Sequence, residues 1–374
     1  MSTGTATHQQ RSVSTPHEKL ALHVGQADGR GSATGRRYPA GALWRPDEGS
    51  DAWFAGQLSS SSMHAAKVTA FHFTDPGCPW AYSARPAHAR LAWRFGDQID
   101  WRLVLIGLSE HASEYEARGL TPGRAAAGMP RFQARFGMPF SVHVKSRVAA
   151  TGRGCRAIVA VRQLDPTLED AALRALQLMQ FTTSGLLDSD EDLQLALSTV
   201  SGVDAREVIA RIDDPDVVAA YRADRALARS AEGSATHVQG RHAKADGRVR
   251  YTAPSVIFER ADGARIEVGG FQPFEAYDTA LANLDTSLER RPPPASALEV
   301  LEAFPDGGTT AEVAAVLRPS DLEEKDRAAA RQELIALAGD GLVRCEPVGG
   351  DAVWLLPRPD ERPPKALGEA RRVA

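Results

Sequence analysis

Strand-like sequence is confined to two short blocks of the chain, and a long helical stretch separates them. In the first block, residues 68–73 and 101–106 are apolar runs of the kind that form buried strands. Between these runs, apolar side chains recur every three or four residues from Ala84 to Phe95, which is typical of a helix. A strand, a helix and a strand in this order need a crossover connection, so we expect the two strands to pair in parallel.

The second block has the pattern of a hairpin followed by a helix. Strand-like residues 255–259 and 265–268 flank a turn at 261–263, and residues 273–284 then form an amphipathic helical pattern. The stretch between the blocks, residues 110–232, carries helix starts and almost no strand pattern. The order β-α-β, helical block, β-β-α predicts the α/β fold class, with a thioredoxin-like fold and an inserted all-helical subdomain.

Composition and pattern divide the chain into five predicted parts. These are a flexible N-terminal arm (1–64), the thioredoxin-like domain (65–288), a Pro-rich linker (289–295), a small domain (296–357) and a tail (358–374). Three helices and two strands in the small domain predict a small α+β, winged-helix-like fold. It carries twelve acidic and five basic side chains, whereas a domain that reads nucleic acid needs a basic face. We therefore expect it to serve packing or self-association, including a homodimer, and expect no nucleic-acid partner.

Composition also excludes several classes of protein. The 374 residues carry a net charge of −4, so the chain as a whole is not a binder of polyanions. Three cysteines are too few for a disulfide framework or a four-thiolate zinc site, and we expect no metal site. No apolar run reaches the ~20 residues of a membrane span, and the first residues lack the apolar core of a secretory signal. We expect a cytoplasmic protein with reduced thiols and no membrane contact.

The clearest chemistry lies where the first strand turns into the first helix, in the sequence TDPGCPWAYS of residues 74–83. Cys78 falls at the first turn of that helix, where backbone amide groups and the helix dipole favour an anion. The thiolate is such an anion, so we expect the pKa of Cys78 to fall and its nucleophilicity to rise. Pro79 suits the first helical position, because it has no amide hydrogen to lose. Trp80 would line a substrate slot or pack on the helix face, and a buried, inert Cys78 is the alternative to a reactive one.

These residues resemble the active-site turn of the DsbA family, and most of all its FrnE-like, 2-hydroxychromene-2-carboxylate-isomerase-like cytosolic branch, whose motif reads DPxCPWCYG. A second stretch, TAPSVIF at residues 252–258, is similar to the loop that carries the family's cis-proline. In that family the proline packs against the active cysteine, and the residue before it pairs with a thiol substrate. The resemblance covers residues 67–288, and it implies a cis peptide bond at Pro254 and substrate pairing by Ala253.

The sequence departs from the family at the position of the second cysteine of the motif, where Ala81 stands. Cys78 has no partner within its own turn, so ordinary dithiol cycling would need another thiol to resolve a mixed disulfide. Cys155 is the other thiol of this domain, and packing in a helix is favoured for it over a resolving role. Cys345 alternates within a short strand of the small domain, and we expect it in the core of that domain.

A single thiol at a helix start suits an enzyme that forms a mixed disulfide or attacks an electrophilic substrate. The resemblance implies a thiol-disulfide oxidoreductase with a monothiol CPWA site, or an isomerase or transferase that depends on glutathione or mycothiol. We expect no tightly bound cofactor; the partners would be a small thiol, an electrophilic small molecule or a protein thiol. The alternative is a non-catalytic thioredoxin-fold binding or scaffold protein that has lost redox cycling with Ala81.

Two weaker candidates lie near these motifs. His72, in the first strand, is a conceivable proton shuttle to Cys78, although packing is favoured for it. A basic stretch before Pro254 is interpreted as a solvated loop, with a site for a substrate carboxylate as the alternative; it contains Arg241, His242, Lys244, Arg248 and Arg250.

Overall fold

The first unit of the fold is a strand, a helix and a strand. The computed structural model describes residues 66–320, 323 and 326–358, so the predicted N-terminal arm and nearly all of the predicted tail lie outside the described residues. The unit consists of β1 (Val68–Thr74), α1 (Pro79–Phe95) and β2 (Ile99–Leu105). The helix begins at Pro79, which is preorganised for the first helical position, and Gly96 is its C-cap residue.

A helical insertion follows β2, where the sequence predicts one. Its helices are α2 (Ala112–Glu116), α3 (Pro122–Phe136), α4 (Gly152–Leu164), α5 (Glu169–Thr182), α6 (Asp190–Leu197), α7 (Ala205–Arg211), α8 (Pro215–Ala228) and α9 (Ala235–Val238). Many of these helices begin at capping residues that the sequence suggests. Thr121, for example, is the N-cap residue of α3 and accepts a hydrogen bond from the amide of Arg124. Helices α4 to α8 share an apolar core of their own that also contacts β2.

A short hairpin that was not predicted follows the insertion. It consists of β3 (His242–Ala245) and β4 (Arg248–Tyr251), which pair in antiparallel fashion. The two turn residues, Asp246 and Gly247, have φ values of 54° and 74°, as a two-residue hairpin turn requires. The Asp-Gly pair was the signal for this turn, so the basic stretch is largely a hairpin and not an irregular loop.

The last strands complete a four-stranded sheet of order β2-β1-β5-β6. They are β5 (Ser255–Arg260) and β6 (Arg265–Val268), and they are followed by α10 (Phe274–Leu284). β1 pairs in parallel with β2 and in antiparallel with β5, and β5 forms a hairpin with β6. Helices α1 and α10 pack on one face of this sheet, around Leu91 and Tyr277. The predicted parallel pairing, the predicted hairpin and the thioredoxin-like fold class are confirmed.

Side chains of the insertion cover the free edge of β2. The amide groups of Leu103 and Leu105 donate hydrogen bonds to the carboxylates of Glu169 and Asp224, at 3.1 Å each. Arg162 lies between these two carboxylates and donates to the carbonyl oxygen of Leu103 at 3.0 Å. An edge with unpaired backbone groups is prone to pair with another chain, so this buried ion network replaces the missing neighbouring strand and fixes the insertion to the sheet.

The C-terminal domain contains three helices and a small antiparallel sheet of order β7-β9-β8. Its elements are α11 (Ala297–Ala303), β7 (Gly308–Thr309), α12 (Thr310–Leu317), α13 (Arg327–Gly339), β8 (Arg344–Val348) and β9 (Asp351–Leu355). The interpretation of this domain as winged-helix-like stays a prediction.

The C-terminal domain packs directly on α1. Trp93 of α1 belongs to the apolar core of that domain, and its Nε1 donates to the carbonyl oxygen of Pro292 in the linker at 2.8 Å. Glu312 of α12 is buried between Arg85 of α1 and Arg174 of α5, at 3.2 and 2.5 Å. Burial alone would raise the pKa of Glu312, but the two guanidinium groups lower it to about 2. The domain therefore joins α1 to the insertion.

Two histidines, the buried His72 and the partly buried His88, lie between the sheet and α1. The rings of His72 and His88 are in T-shaped contact, with centroids 4.5 Å apart, and both also contact the ring of Trp101. Within the described part of the chain, neither Nε2 atom has a hydrogen-bond partner. The pKa of His72 is lowered to about 3, first by burial and then by the charge of Arg85. Both imidazoles are therefore neutral core side chains.

Replacing His72 by valine should weaken the dependence of stability on pH. Below its ordinary pKa of 6.5, the unfolded chain takes up a proton at this imidazole and the folded chain does not, until the pH approaches about 3. Between pH 6.5 and about pH 5 the folded protein therefore loses about 2 kcal/mol of stability through this group alone. Urea denaturation at about pH 7.5 and about pH 5 should show a smaller loss for His72→Val than for the wild type.

The exposed His143 provides the matched control for this experiment. His143→Val should keep the full pH dependence of the wild type, because it removes one histidine at an exposed position and leaves the buried His72 in place. If His72→Val loses as much stability on acidification as His143→Val does, the prediction is wrong.

Candidate functional site

The carboxylate of Asp75 holds the turn between β1 and α1. Its Oδ1 accepts a hydrogen bond from the amide of Gly77 at 2.8 Å, and its Oδ2 accepts from the amide of Leu108 at 2.9 Å and the hydroxyl of Thr151 at 3.0 Å. Leu108 follows β2, and Thr151 is the N-cap residue of α4. One buried side chain therefore connects the turn, the sheet and the insertion. Burial raises the pKa of Asp75, although these hydrogen bonds oppose the rise.

Cys78 is the N-cap residue of α1, and its thiol points to the loop before β5. Its Sγ donates a hydrogen bond to the carbonyl oxygen of Ala253 at 3.2 Å. The peptide bond between Ala253 and Pro254 is cis. The structure thus brings together Cys78, Ala253 and Pro254, which the two sequence motifs contribute.

The expectation that the helix start lowers the pKa of Cys78 is wrong for this structure. Burial raises this pKa to about 12, and the negative charge of Asp75 adds to the rise. The amide groups of Ala81 and Trp80 and the charge of Arg250 act in the opposite direction without outweighing burial. The residue is only 3% exposed, so Cys78 is a covered, protonated thiol at neutral pH.

Four partly exposed aromatic side chains pack together at the first turn of α1, and we call them the aromatic cover. Trp80 contacts the rings of Phe132 and Phe136 from α3 and of Phe271 from the loop before α10, with centroid distances of 5.0, 5.7 and 5.7 Å. Phe136 and Phe271 also contact each other at 4.7 Å. Trp80 is therefore part of a closed cluster, and it does not line an open slot here. Pro79 beside it is partly exposed at the helix start.

Two further side chains are coupled electrostatically to the thiol: Tyr115, which no sequence pattern singled out, and Arg250 of the basic stretch. Tyr115 of α2 has a raised pKa, first because of burial and then because of the charges of Asp75 and Cys78. Arg250 of β4 is 8% exposed, and its Nη1 donates to the carbonyl oxygen of Tyr251 at 2.7 Å. In the described ranges Arg250 has no carboxylate in an ion pair, and its charge favours the Cys78 thiolate. For Arg250, its position four residues before the cis-proline was the available signal.

The other two cysteines have different partners from Cys78. Cys155 is fully buried in α4, and its Sγ donates to Asp75 Oδ2 at 3.6 Å. Cys78 instead donates to the carbonyl oxygen of Ala253, and both thiols are free. This arrangement favours the packing role for Cys155. Cys345 is exposed on β8, so its predicted place in the core of the small domain is wrong, because the outer strand of that sheet turns this side chain to solvent.

The remaining candidate residues from the sequence lie in different parts of the fold. His72 is a neutral core residue under α1, which leaves it no role as a proton shuttle. Lys244 and Arg248 of the basic stretch are exposed. Arg241 lines a shallow groove of about 290 Å³ between β6 and α10. Within the basic stretch, Arg250 is a residue whose charge acts on the Cys78 thiol.

Among residues 66–320, 323 and 326–358, no group of three or more His, Cys, Asp or Glu side chains is arranged to hold a metal ion. None of the helices there has the length and apolar character that a membrane span requires.

Comparisons with known proteins return solved structures of low identity. No family model matches the sequence, and no curated protein matches it. The cytosolic disulfide reductase DsbM of Pseudomonas aeruginosa is 20% identical with a TM-score of 0.42, and the match covers 58% of this chain and 100% of that one. A proposed protein disulfide isomerase of Nitrosomonas europaea is 15% identical with a TM-score of 0.45, covering 58% and 97%. The oxidoreductase NmDsbA1 of N. meningitidis is 15% identical with a TM-score of 0.34, covering 61% and 86%. At this level of sequence identity, the similarity bears on the fold alone.

The topology of the chain identifies the fold independently of these matches. The sheet has the order β2-β1-β5-β6, and a cysteine stands at the start of the helix that follows its central strand β1. A helical block separates β2 from the β-β-α unit, and a cis-proline precedes β5. This arrangement is a thioredoxin-like fold with an inserted helical block.

Proposed function

We propose that the protein is a thiol-disulfide oxidoreductase of monothiol type, in which Cys78 is the reacting residue and is covered between turnovers. One observation carries this proposal: the Cys78 sulfur faces the carbonyl oxygen of Ala253, beside the cis peptide bond of Pro254. A substrate thiol or disulfide placed against Ala253 would meet the sulfur directly. The three free cysteines fit a reducing compartment, and we place the protein in the cytoplasm.

The groups around Cys78 favour its thiolate once water reaches it. The amide groups of Trp80 and Ala81 point at the sulfur from the start of α1, and the charge of Arg250 acts in the same sense. Burial is the dominant cause of the raised pKa. Opening the aromatic cover removes much of that cause and leaves the favourable groups in place, so the pKa of Cys78 falls on opening.

The chemistry open to Cys78 is one thiol-disulfide exchange at a time. Its thiolate attacks one sulfur of a disulfide, a bond to Cys78 forms, the original sulfur–sulfur bond breaks, and a thiolate leaves. Because Ala81 replaces the second cysteine, release of the mixed disulfide needs a thiol from outside the turn. For this step we propose a small thiol, such as glutathione or mycothiol, as the partner. A protein thiol is the alternative. No tightly bound cofactor is part of the proposal.

A second candidate function is a non-catalytic binding or scaffold protein. Ala81 and the covered, protonated state of Cys78 favour it, because both remove features that redox cycling needs. The two functions differ in what happens when the cover is opened. An oxidoreductase has a reactive thiolate beneath the cover, and a scaffold protein has an ordinary thiol there.

Opening the aromatic cover by Phe136→Ala should convert Cys78 into a reactive thiol. In a Cys345→Ser parent, which lacks the exposed thiol, iodoacetamide should modify Cys78 at least about a hundredfold more slowly than a free thiol at neutral pH. In Phe136→Ala the rate should rise, and its pH profile should have a midpoint below the value of about 8.5 of an ordinary cysteine. The site of modification is read by mass spectrometry, with Cys78→Ser as the blank.

Phe304→Ala is a control for loss of an aromatic ring outside the cover, since Phe304 packs against the core of the C-terminal domain. It should leave Cys78 slow to react. If Phe136→Ala exposes Cys78 but the midpoint stays at or above about 8.5, the oxidoreductase proposal fails and the scaffold function is favoured.

Arg250→Gln should make the exposed thiol less acidic. In the Phe136→Ala background, loss of the guanidinium should move the midpoint of the alkylation profile up by roughly one pH unit. The matched control is Arg248→Gln, because Arg248 lies two residues away on the same strand and is exposed. An equal midpoint in the Arg250 and Arg248 variants would contradict the assigned role of Arg250.

A further inference from the structure

The helix that supplies half of the aromatic cover is only loosely packed. α3 has one buried residue, Gly128, and α2 before it has none. We call residues 112–137, which contain both helices, the lid. Segments that bury little apolar surface open locally at a lower free energy than the rest of a fold. A lid of this kind stays closed over Cys78 only if further contacts hold it.

The C-terminal domain supplies such contacts through the turn between β8 and β9. A Cβ atom at Gly349 would lie 2.9 Å from the carbonyl oxygen of Phe140, three residues beyond the lid. A Cβ atom at Gly350 would lie 2.6 Å from Nε2 of Gln133, inside α3. The turn therefore rests against both the last part of the lid helix and the chain that follows it.

Two further parts of the C-terminal domain reach the same end of the lid. The side chain of Arg327, the first residue of α13, packs against Gly137, the C-cap residue of α3. The hydroxyl of Thr309 lies 3.4 Å from the sulfur of Met138. Phe140 and Met138 also share a buried cluster with Ala311 of α12. The segment that follows the lid is thus part of the interface with the C-terminal domain.

The body of the protein fixes the other side of this interface. The hydroxyl of Tyr82 in α1 donates to the carbonyl oxygen of Pro139 at 3.0 Å, and the amide of Ser141 donates to the carbonyl oxygen of Phe181 in α5 at 2.8 Å. Residues 138–141 therefore lie between α1, α5 and the C-terminal domain. The lid is tethered at one end to a segment that three separate elements hold.

We propose that the C-terminal domain is an intramolecular latch that keeps the lid closed over Cys78 and so regulates access to this thiol. The proposal rests on the function proposed above, since it names the regulation of that same site. Displacement of the β8–β9 turn from Phe140 releases the end of α3, Phe132 and Phe136 leave Trp80, and Cys78 meets solvent. A partner that binds the β8–β9 turn would therefore control the reactivity of Cys78.

Substitution of Gly349 tests the latch by pushing the turn away from Phe140. In the full-length Cys345→Ser parent, Gly349→Ala should increase the rate of Cys78 modification by iodoacetamide at least about fivefold. The control is Gly263→Ala, because both glycines have positive φ and carry a similar backbone cost on substitution, but a Cβ atom at Gly263 meets nothing within 4 Å. Hydrogen exchange in residues 112–137 should also accelerate in Gly349→Ala and not in Gly263→Ala.

Arg327→Ala is the second variant, in case Gly349→Ala does not fold. Arg327 is exposed, so its truncation leaves the core of the C-terminal domain intact, and it should also accelerate modification of Cys78. If both variants fold with the urea midpoint of the parent and neither accelerates modification or exchange in the lid, the latch is overturned. If Gly349→Ala does not fold, the absence of any acceleration in Arg327→Ala overturns it.

The same measurements separate failure of the latch from failure of the proposed function. If Phe136→Ala exposes a thiolate with a lowered midpoint while Gly349→Ala and Arg327→Ala change nothing, the proposed function stands and the latch falls. If Gly349→Ala exposes Cys78 but its pH profile is that of an ordinary thiol, the latch stands as a structural device and the oxidoreductase function falls.

Discussion

Four hydrogen bonds to the carboxylate of Asp75 determine where Cys78 lies. They come from the turn itself, from the end of β2, and from the N-cap residue and first turn of α4. Because the donors belong to three different parts of the chain, the turn cannot move without breaking contacts in the insertion. A buried acceptor that loses a partner costs about 1–3 kcal/mol, so the position of the sulfur is strongly fixed. Asp75 was visible in the sequence only as a turn residue.

The backbone of the site could be predicted from sequence, because it depends on local patterns. The strand before Cys78, the helix start at Pro79 and the hairpin after Pro254 each follow from runs of about six to twelve residues. The short hairpin β3–β4 was within reach of the same reasoning through Asp246 and Gly247. Its basic side chains made it look like a solvated loop, although a hairpin with one exposed face carries such side chains equally well.

The electrostatics of the site could not be predicted in this way. The start of α1 is a local feature, and it does favour a thiolate, but the pKa of Cys78 is decided by how well water is excluded. The aromatic side chains that pack together beside Cys78 come from three separate segments, as Trp80, Phe136 and Phe271 show. The same limit applies to the C-terminal domain. A Pro-rich linker suggested a separate unit, yet Trp93 of α1 is buried in the core of that domain. Nothing local to Trp93 reveals its partner.

The loss of the second cysteine and the closure of the site have a common chemical consequence. A turn with two cysteines releases a mixed disulfide by itself, and its first thiol can remain open to solvent. With Ala81 in the turn, each mixed disulfide at Cys78 persists until an external thiol attacks it. An open and ionised Cys78 would therefore accumulate adducts with whatever disulfide it met. In the proposed mechanism, the Cys78 sulfur is buried and protonated in the closed state, so it would not form such adducts. It would become acidic only after Trp80 is uncovered, because the groups that favour the thiolate stay in place. Closure of the lid would then make this single-thiol site selective.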